Sequence, residues 1–226
     1  MTAQTQLDLK SIGEIPLDFY KLQHAAHIIQ SDLEAINIAK KLASEFKKEA
    51  SQRDHERRLP LKEIQQYSSS GLWAINIPKA FGGAGVSYKT LAEIVKIISS
   101  VDSSLGQIAQ NHWVFIEHIR LDATPEQQRF FFTQILQGQR LGNAFSEKGS
   151  KTVADLTTTL DINHNSAIIN GKKFFATGAL FAHWIPVVAI HEGKPYAASV
   201  PQHTAGLTII NDWSGFGQRT TASGTV

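Results

Sequence analysis

The sequence contains no cysteine, which excludes disulfides, thiolate zinc sites and iron–sulfur clusters. No run of 18 apolar residues occurs, so no membrane-spanning helix is expected. Met1 to Lys10 lacks the apolar stretch of a secretory signal, and none is expected. Charge of one sign is missing too: 22 Lys and Arg stand against 20 Asp and Glu, a net charge of +2. The balance is local, with 15 basic and 15 acidic residues through Gln139 and 7 against 5 beyond it. A nucleic-acid partner, which needs a basic face, is therefore not expected. Lack of cysteine suits the cytoplasm, which is the expected compartment.

What is present is an ordinary globular composition, 42% apolar and 19% charged over 226 residues, enough for a self-sufficient core. The first 139 residues read as helices. Ser31 with Glu34 has the pattern of a capping box, and Leu33, Ile36, Ala39, Leu42, Ala43, Phe46 and Ala50 follow at helical spacing. A second unit starts at Pro60 and stops near Gly71. Ser87 caps a helix carrying Leu91, Ile94, Val95 and Ile98, and another runs from about Ser104 to Leu121. Thr124-Pro125-Glu126-Gln127 combines an N-cap, a first-turn proline and a glutamine at the capping-box position. Phe130, Phe131, Ile135 and Leu136 are its expected buried face.

Near Gly138 the pattern changes to short runs rich in Thr, Val, Ile and aromatics. Val153–Asp161, Ala167–Ile169, Lys173–Thr177, Ile185–His191 and Ala197–Pro201 are the expected strands, with Asn170-Gly171 as a hairpin turn. Helices first and strands afterwards give an α+β class: a helical domain over 1–139 and an antiparallel, barrel-like β domain over 140–226. Thr220–Val226 still has strand character, so an unpaired pairing edge is expected there.

Single motifs carry little chemistry. Gly82-Gly83-Ala84-Gly85 has neither dinucleotide nor P-loop spacing and reads as a tight turn. His24 and His27 lack further ligands at metal spacing, so no metal is expected. Gln107 and Asn111 share a helix face, and His112 beside them reads alone as a packed histidine. No Ser-His-Asp order or carboxylate pair stands out.

Taken in order, however, the segments resemble the acyl-CoA dehydrogenase superfamily. The resemblance rests on Pro78…Gly82-Gly83, Ser146-Glu147 opening the β region, and Asn170-Gly171-Lys172-Lys173-Phe174-Phe175-Ala176-Thr177. Ser104-Leu105-Gly106-Gln107…Asn111-His112, Gly142-Asn143-Ala144 and Asn211-Asp212-Trp213…Gly217-Gln218-Arg219…Ser223-Gly224 are similar to its sulfur-oxidising monooxygenase branch. Lys148 and Lys151 replace a proline and an aspartate of the dehydrogenases, which favours that branch. The resemblance implies a flavin, FMN rather than FAD, and a reduced-flavin monooxygenase acting on a small organosulfur compound. Asn143, Ala144, Phe145, Ser146 and Glu147 would meet the flavin, with Lys173, Phe175, Ala176 and Thr177 along its ring. Phe175 would pack on the ring and Thr177 bond near its reactive nitrogen, while Trp213 and Ser223 would face the ribityl-phosphate or substrate side. Gln107, Asn111 and His112 are the catalytic candidates, although amides do not readily move protons. A flavin reductase partner, a homo-oligomeric full-length form and a helical bundle beyond Val226 are also implied. Two other readings stay open: an FAD-dependent acyl-CoA dehydrogenase, and an inactive fragment or binding module.

Overall fold

A computed structural model describes residues 15–21, 25–149, 152, 155–164 and 166–226. His24, Lys151 and the Val153–Ala154 start of the first expected strand lie outside them. Six helices come first: α1 (Asp32–Phe46), α2 (Ala50–His55), α3 (Leu61–Ser70), α4 (Tyr88–Ser99), α5 (Ser103–Asp122) and α6 (Pro125–Leu136). Four strands come after them: β1 (Thr159–Asn163), β2 (Ser166–Asn170), β3 (Trp184–His191) and β4 (Lys194–Pro201).

Local chemistry sets the helix starts. Ser31, Ser87, Asp102 and Thr124 each accept a hydrogen bond from a first-turn amide, at Glu34, Thr90, Leu105 and Gln127. Such caps each contribute about 1 kcal/mol. α3 ends at Gly71, whose φ of +80° is easiest for glycine. The central helix is α5, which buries Leu105, Ile108, Ala109, Trp113, Phe115, Ile116 and Ile119. Gly106 lets it touch α4, because a Cβ there would collide with Ser99 Oγ. Tyr67 stacks on Trp73 at 4.4 Å beside it. Under this layer Arg53 is wholly buried between two carboxylates, at 2.8 Å from Glu63 and 2.6 Å from Asp102. Among the described residues no helix is long and apolar enough to cross a membrane.

Several sequence expectations need correction. Leu33 is exposed, and α6 buries Phe132 and Ile135 instead of Phe130. Phe130 and Phe131 meet Trp184 edge-on, each at 5.4 Å, so the helix buries Phe132 and Ile135 in the helical core and sets these two rings against the start of β3. The sheet is mixed and open among the described residues, in the order β2-β1-β3-β4. It is neither a closed barrel nor wholly antiparallel, since β1 runs parallel to β3 through Thr159 and Ile190. The β1–β2 hairpin turns between Asn163 and Ser166, not at Asn170-Gly171. Gly171 answers a different need: a Cβ there would strike the Thr158 side chain. Lys173–Thr177 is a bent segment with one bridge, Ala176 to Gly224, because Phe175 at φ +57° breaks the extended backbone. Nor is the edge at residues 224–226 bare. Val226 exchanges backbone hydrogen bonds with Lys173, and Thr225 does so with Ile210.

One edge of β3 sets the course of the neighbouring chain. Leu141 and Ala144 bridge it in parallel at Trp184 and Val187, and Ile190 N–H then donates to Thr158 O at 2.8 Å. The chain thus leaves the sheet after Ala144 and is back against it at Thr158.

Candidate functional site

Glu147 joins the segment after Ala144 to the chain at Thr157 and Thr158. Its carboxylate accepts from the Thr157 N–H (2.8 Å) and hydroxyl (2.5 Å), from the Thr158 N–H (3.0 Å) and hydroxyl (2.7 Å), and from Lys173 Nζ (2.7 Å). Burial alone would raise its pKa, but these donors outweigh that and hold the carboxyl well below the usual range. Lys173, 1% exposed, also donates to Phe145 O at 3.1 Å. Phe174 N–H donates to Ser146 O at 2.9 Å. Further along, a Cβ on Gly142 would press on Ala179 Cα at 2.8 Å. Residues 142–147 and 173–179 therefore run side by side. That sets Phe145 and Ser146 beside Lys173 and Phe174, with Phe175 next along the same rim.

The rim is aromatic and open. Phe145 is 36% exposed and Phe175 54%, while Ala144, Ala176 and Thr177 are buried behind them. Phe175 is held with positive φ, a conformation a bulky residue rarely adopts, and such strain concentrates at ligand sites. Lys148 Nζ sits 4.3 Å from the Phe174 ring centroid and 5.9 Å from that of Phe175. The Trp213 ring meets Phe175 edge-on at 5.9 Å. Gly215 makes room for the indole, since a Cβ there would strike it. The loop is tied back to α2 and the turn after it, through Arg219 N–H to Asp54 (3.0 Å) and Arg57 to Gly215 O (3.0 Å).

Behind the rim, hydroxyls line up. Thr177 Oγ1 lies 2.7 Å from Ser223 Oγ, Ser223 Oγ 2.7 Å from Thr221 Oγ1, and Thr221 Oγ1 3.1 Å from Gln218 O. Sequence reading named Thr177 and Ser223 but missed Thr221. The run Thr220-Thr221-Ala222-Ser223 was the available signal.

The α5 candidates divide. His112 is buried, and its ring spans two elements: Nε2–H donates to Trp73 O at 3.0 Å, and Nδ1 accepts from Leu141 N–H at 2.9 Å. Burial pushes its pKa down to about 3, and both partners require the same neutral tautomer. Asn111 spends one amide donor on Gln107 O at 2.9 Å. Both amides are half-buried, and α5 passes under the turn after Thr177, with Ile108 Cγ2 3.5 Å from a Gly178 Cβ. His27 hydrogen-bonds Glu34 at 2.6 Å, and no group of three metal-ligating side chains occurs among the described residues.

The site fits a flavin by its donor set: exposed aromatic faces, buried hydroxyls beside them and lysines at the margin. Comparisons with known proteins point the same way. Residues 35–139 match the model of the acyl-CoA dehydrogenase N-terminal domain. A probable FMNH2-dependent monooxygenase, SfnC of Pseudomonas putida, is 32% identical over 84% of the chain and 48% of its own length. Dibenzothiophene monooxygenase of Rhodococcus qingshengii is 29% identical over 89% of the chain and 50% of its own length. The crystal structure of FMN-bound TdsC from Paenibacillus sp. A11-2 superposes with a TM-score of 0.79 at 32% identity, over 84% of the chain and 50% of that structure. The chain spans about half the length of these relatives. With its helical layer, its strained aromatic rim and these homologies, the chain belongs to the acyl-CoA dehydrogenase superfamily, alongside the dibenzothiophene monooxygenases.

Proposed function

We propose that this chain forms one wall of the FMN site of a reduced-flavin monooxygenase that oxygenates a small organosulfur compound. The observation that carries the reading is Phe175, a half-exposed aromatic held in a strained backbone at the rim, in a fold shared with an FMN-bound relative. When bound, reduced flavin would supply the electrons with which molecular oxygen is activated.

The chain's own residues bind, orient and exclude water. Phe175 offers a ring face, Trp213 braces that face edge-on, and Phe145 extends the apolar surface. Asn143 and Ser146 line the neighbouring segment with hydrogen-bonding groups, and Ala144, whose N–H and C=O both bond to β3, supports them from behind. Lys148 supplies positive charge at the margin. Thr177 presents a hydroxyl at the inner edge, and Ser223 holds that hydroxyl from behind. Glu147 and Lys173 lie too deep to touch a ring and act as positioning residues, fixing the two segments against each other. Gln107 and Asn111 would orient substrate by hydrogen bonding. His112, with both nitrogens engaged, joins α5 to the first β segment. In this reading residues 1–139 form the helical domain and 140–226 the β domain. A flavin reductase would deliver FMNH2 in the cytoplasm, and the full-length form would be a homo-oligomer.

Supplying the full-length protein with FMNH2, oxygen and dibenzothiophene tests the reading. Formation of a sulfur-oxygenated product supports it. Oxidation of acyl-CoA thioesters without sulfur oxygenation would replace it with the dehydrogenase reading.

A further inference from the structure

The hydroxyl chain behind the rim has a direction. Four oxygen–oxygen gaps link Gln218 O, Thr221, Ser223, Thr177 and Phe175 O, measuring 3.1, 2.7, 2.7 and 3.4 Å. Three hydroxyls bring three protons, so one gap stays unbridged. The 3.4 Å contact from Thr177 to Phe175 O is too long for an O–H···O bond, and that is the gap left open. At the other end Gln218 O can only accept. It is held in place by Trp213 Nε1–H at 2.9 Å and Thr221 N–H at 3.3 Å. Thr221 therefore donates to Gln218 O, Ser223 donates to Thr221, and Thr177 donates to Ser223. Every proton points away from the rim. Thr177 Oγ1 is left with lone pairs only.

We propose that Ser223 and Thr221 fix the Thr177 hydroxyl as a hydrogen-bond acceptor, and that this polarity selects reduced flavin over oxidised flavin. The inference rests on the flavin reading of the rim. Reduced flavin carries a ring N–H where oxidised flavin has a bare acceptor nitrogen. An accepting Thr177 satisfies the former and opposes the latter. Thr177 is the contact residue, while Ser223 and Thr221 are positioning residues that act through it. All three are nearly buried, at 6%, 6% and 1% exposure, so water competes little for the last lone pairs.

The test compares FMN with dithionite-reduced FMNH2, titrated anaerobically into the purified full-length protein, and reads the ratio of the two dissociation constants. The expected wild-type ratio favours FMNH2 by about tenfold, the worth of one hydrogen bond. For a two-electron couple this raises the bound midpoint potential by about 30 mV. Ser223→Ala frees the Thr177 proton to turn outward, and the ratio falls toward one. Thr221→Val acts on the far link with the same result, and stands in if Ser223→Ala does not fold. Ser223→Thr keeps a hydroxyl and restores the preference. If Ser223→Ala or Thr221→Val is folded, binds both forms and keeps the wild-type ratio, the relay is overturned while the flavin site survives. If the wild-type protein binds neither form, the flavin reading itself fails and takes the inference with it.

Discussion

Each half of the molecule contains a buried ion cluster, and the two clusters do different work. In the helical half Arg53 joins α2 to Glu63 of α3 and to Asp102 at the start of α5. In the β half Glu147 and Lys173 lie equally deep, at 5% and 2% side-chain exposure, yet the residues they fix are open: Phe145, Phe175 and Lys148. The first cluster holds helices to helices. The second holds a surface in shape for something else. Large aromatics left in water beside a rigid ionic clasp cost stability, and a ligand site is where that cost is recovered.

The largest effect expected from breaking this comparison is at Arg53. Arg53→Met strands two buried carboxylates and should cost about 3–5 kcal/mol in urea unfolding, lowering FMN affinity only as far as the fold is lost. Glu147→Gln should cost less, about 2–3 kcal/mol, but should weaken FMN binding in protein that is still folded, as judged by circular dichroism. It should also change the acid limb. Because the folded pKa of Glu147 is depressed, its contribution is fully present above the unfolded value of about 4.3 and is lost as pH falls below it. The variant should show a shallower loss of stability in that range.

Legibility in the sequence splits along the same divide. Helix limits were readable because their causes are local: Ser87 and Thr124 cap amides three residues away. The buried face of α6 was misread, since Trp184, some fifty residues on, decides where Phe130 and Phe131 go. The β half misled more. Parallel pairing of β1 with β3 and the return of the chain to the sheet at Thr158 depend on contacts no local pattern encodes. Gly171 looked like a turn glycine but yields to Thr158. The candidate site segments carry ordered motifs, whereas the place of Thr221 depends on the fold that lines its hydroxyl up with Ser223.

A middle-sized effect is expected at the seam between the halves. His112→Gln should cost about 1–3 kcal/mol at pH 7.5 through its two backbone partners. In the wild type, His112 is neutral when folded, with a pKa of about 3, and titrates near 6.5 when unfolded. The unfolded state therefore binds the extra proton first, and stability should fall as pH drops from about 6.5 toward 3. Urea midpoints measured across that window should decline less steeply in the variant.

The smallest stability effect has the opposite sign. Phe175→Gly relieves the positive φ and should stabilise the chain by about 1 kcal/mol, read as a higher urea midpoint, while removing the ring face. A gain in stability joined to a loss of flavin marks a residue kept for binding rather than folding.

The most direct measurement is an FMN titration of the purified full-length protein and of its Phe175→Ala variant, followed by quenching of flavin fluorescence. Saturable quenching by the wild type, with affinity reduced about tenfold or more in Phe175→Ala, is the result expected of an aromatic flavin wall. No quenching by the wild type, or equal affinity in both proteins, would contradict it.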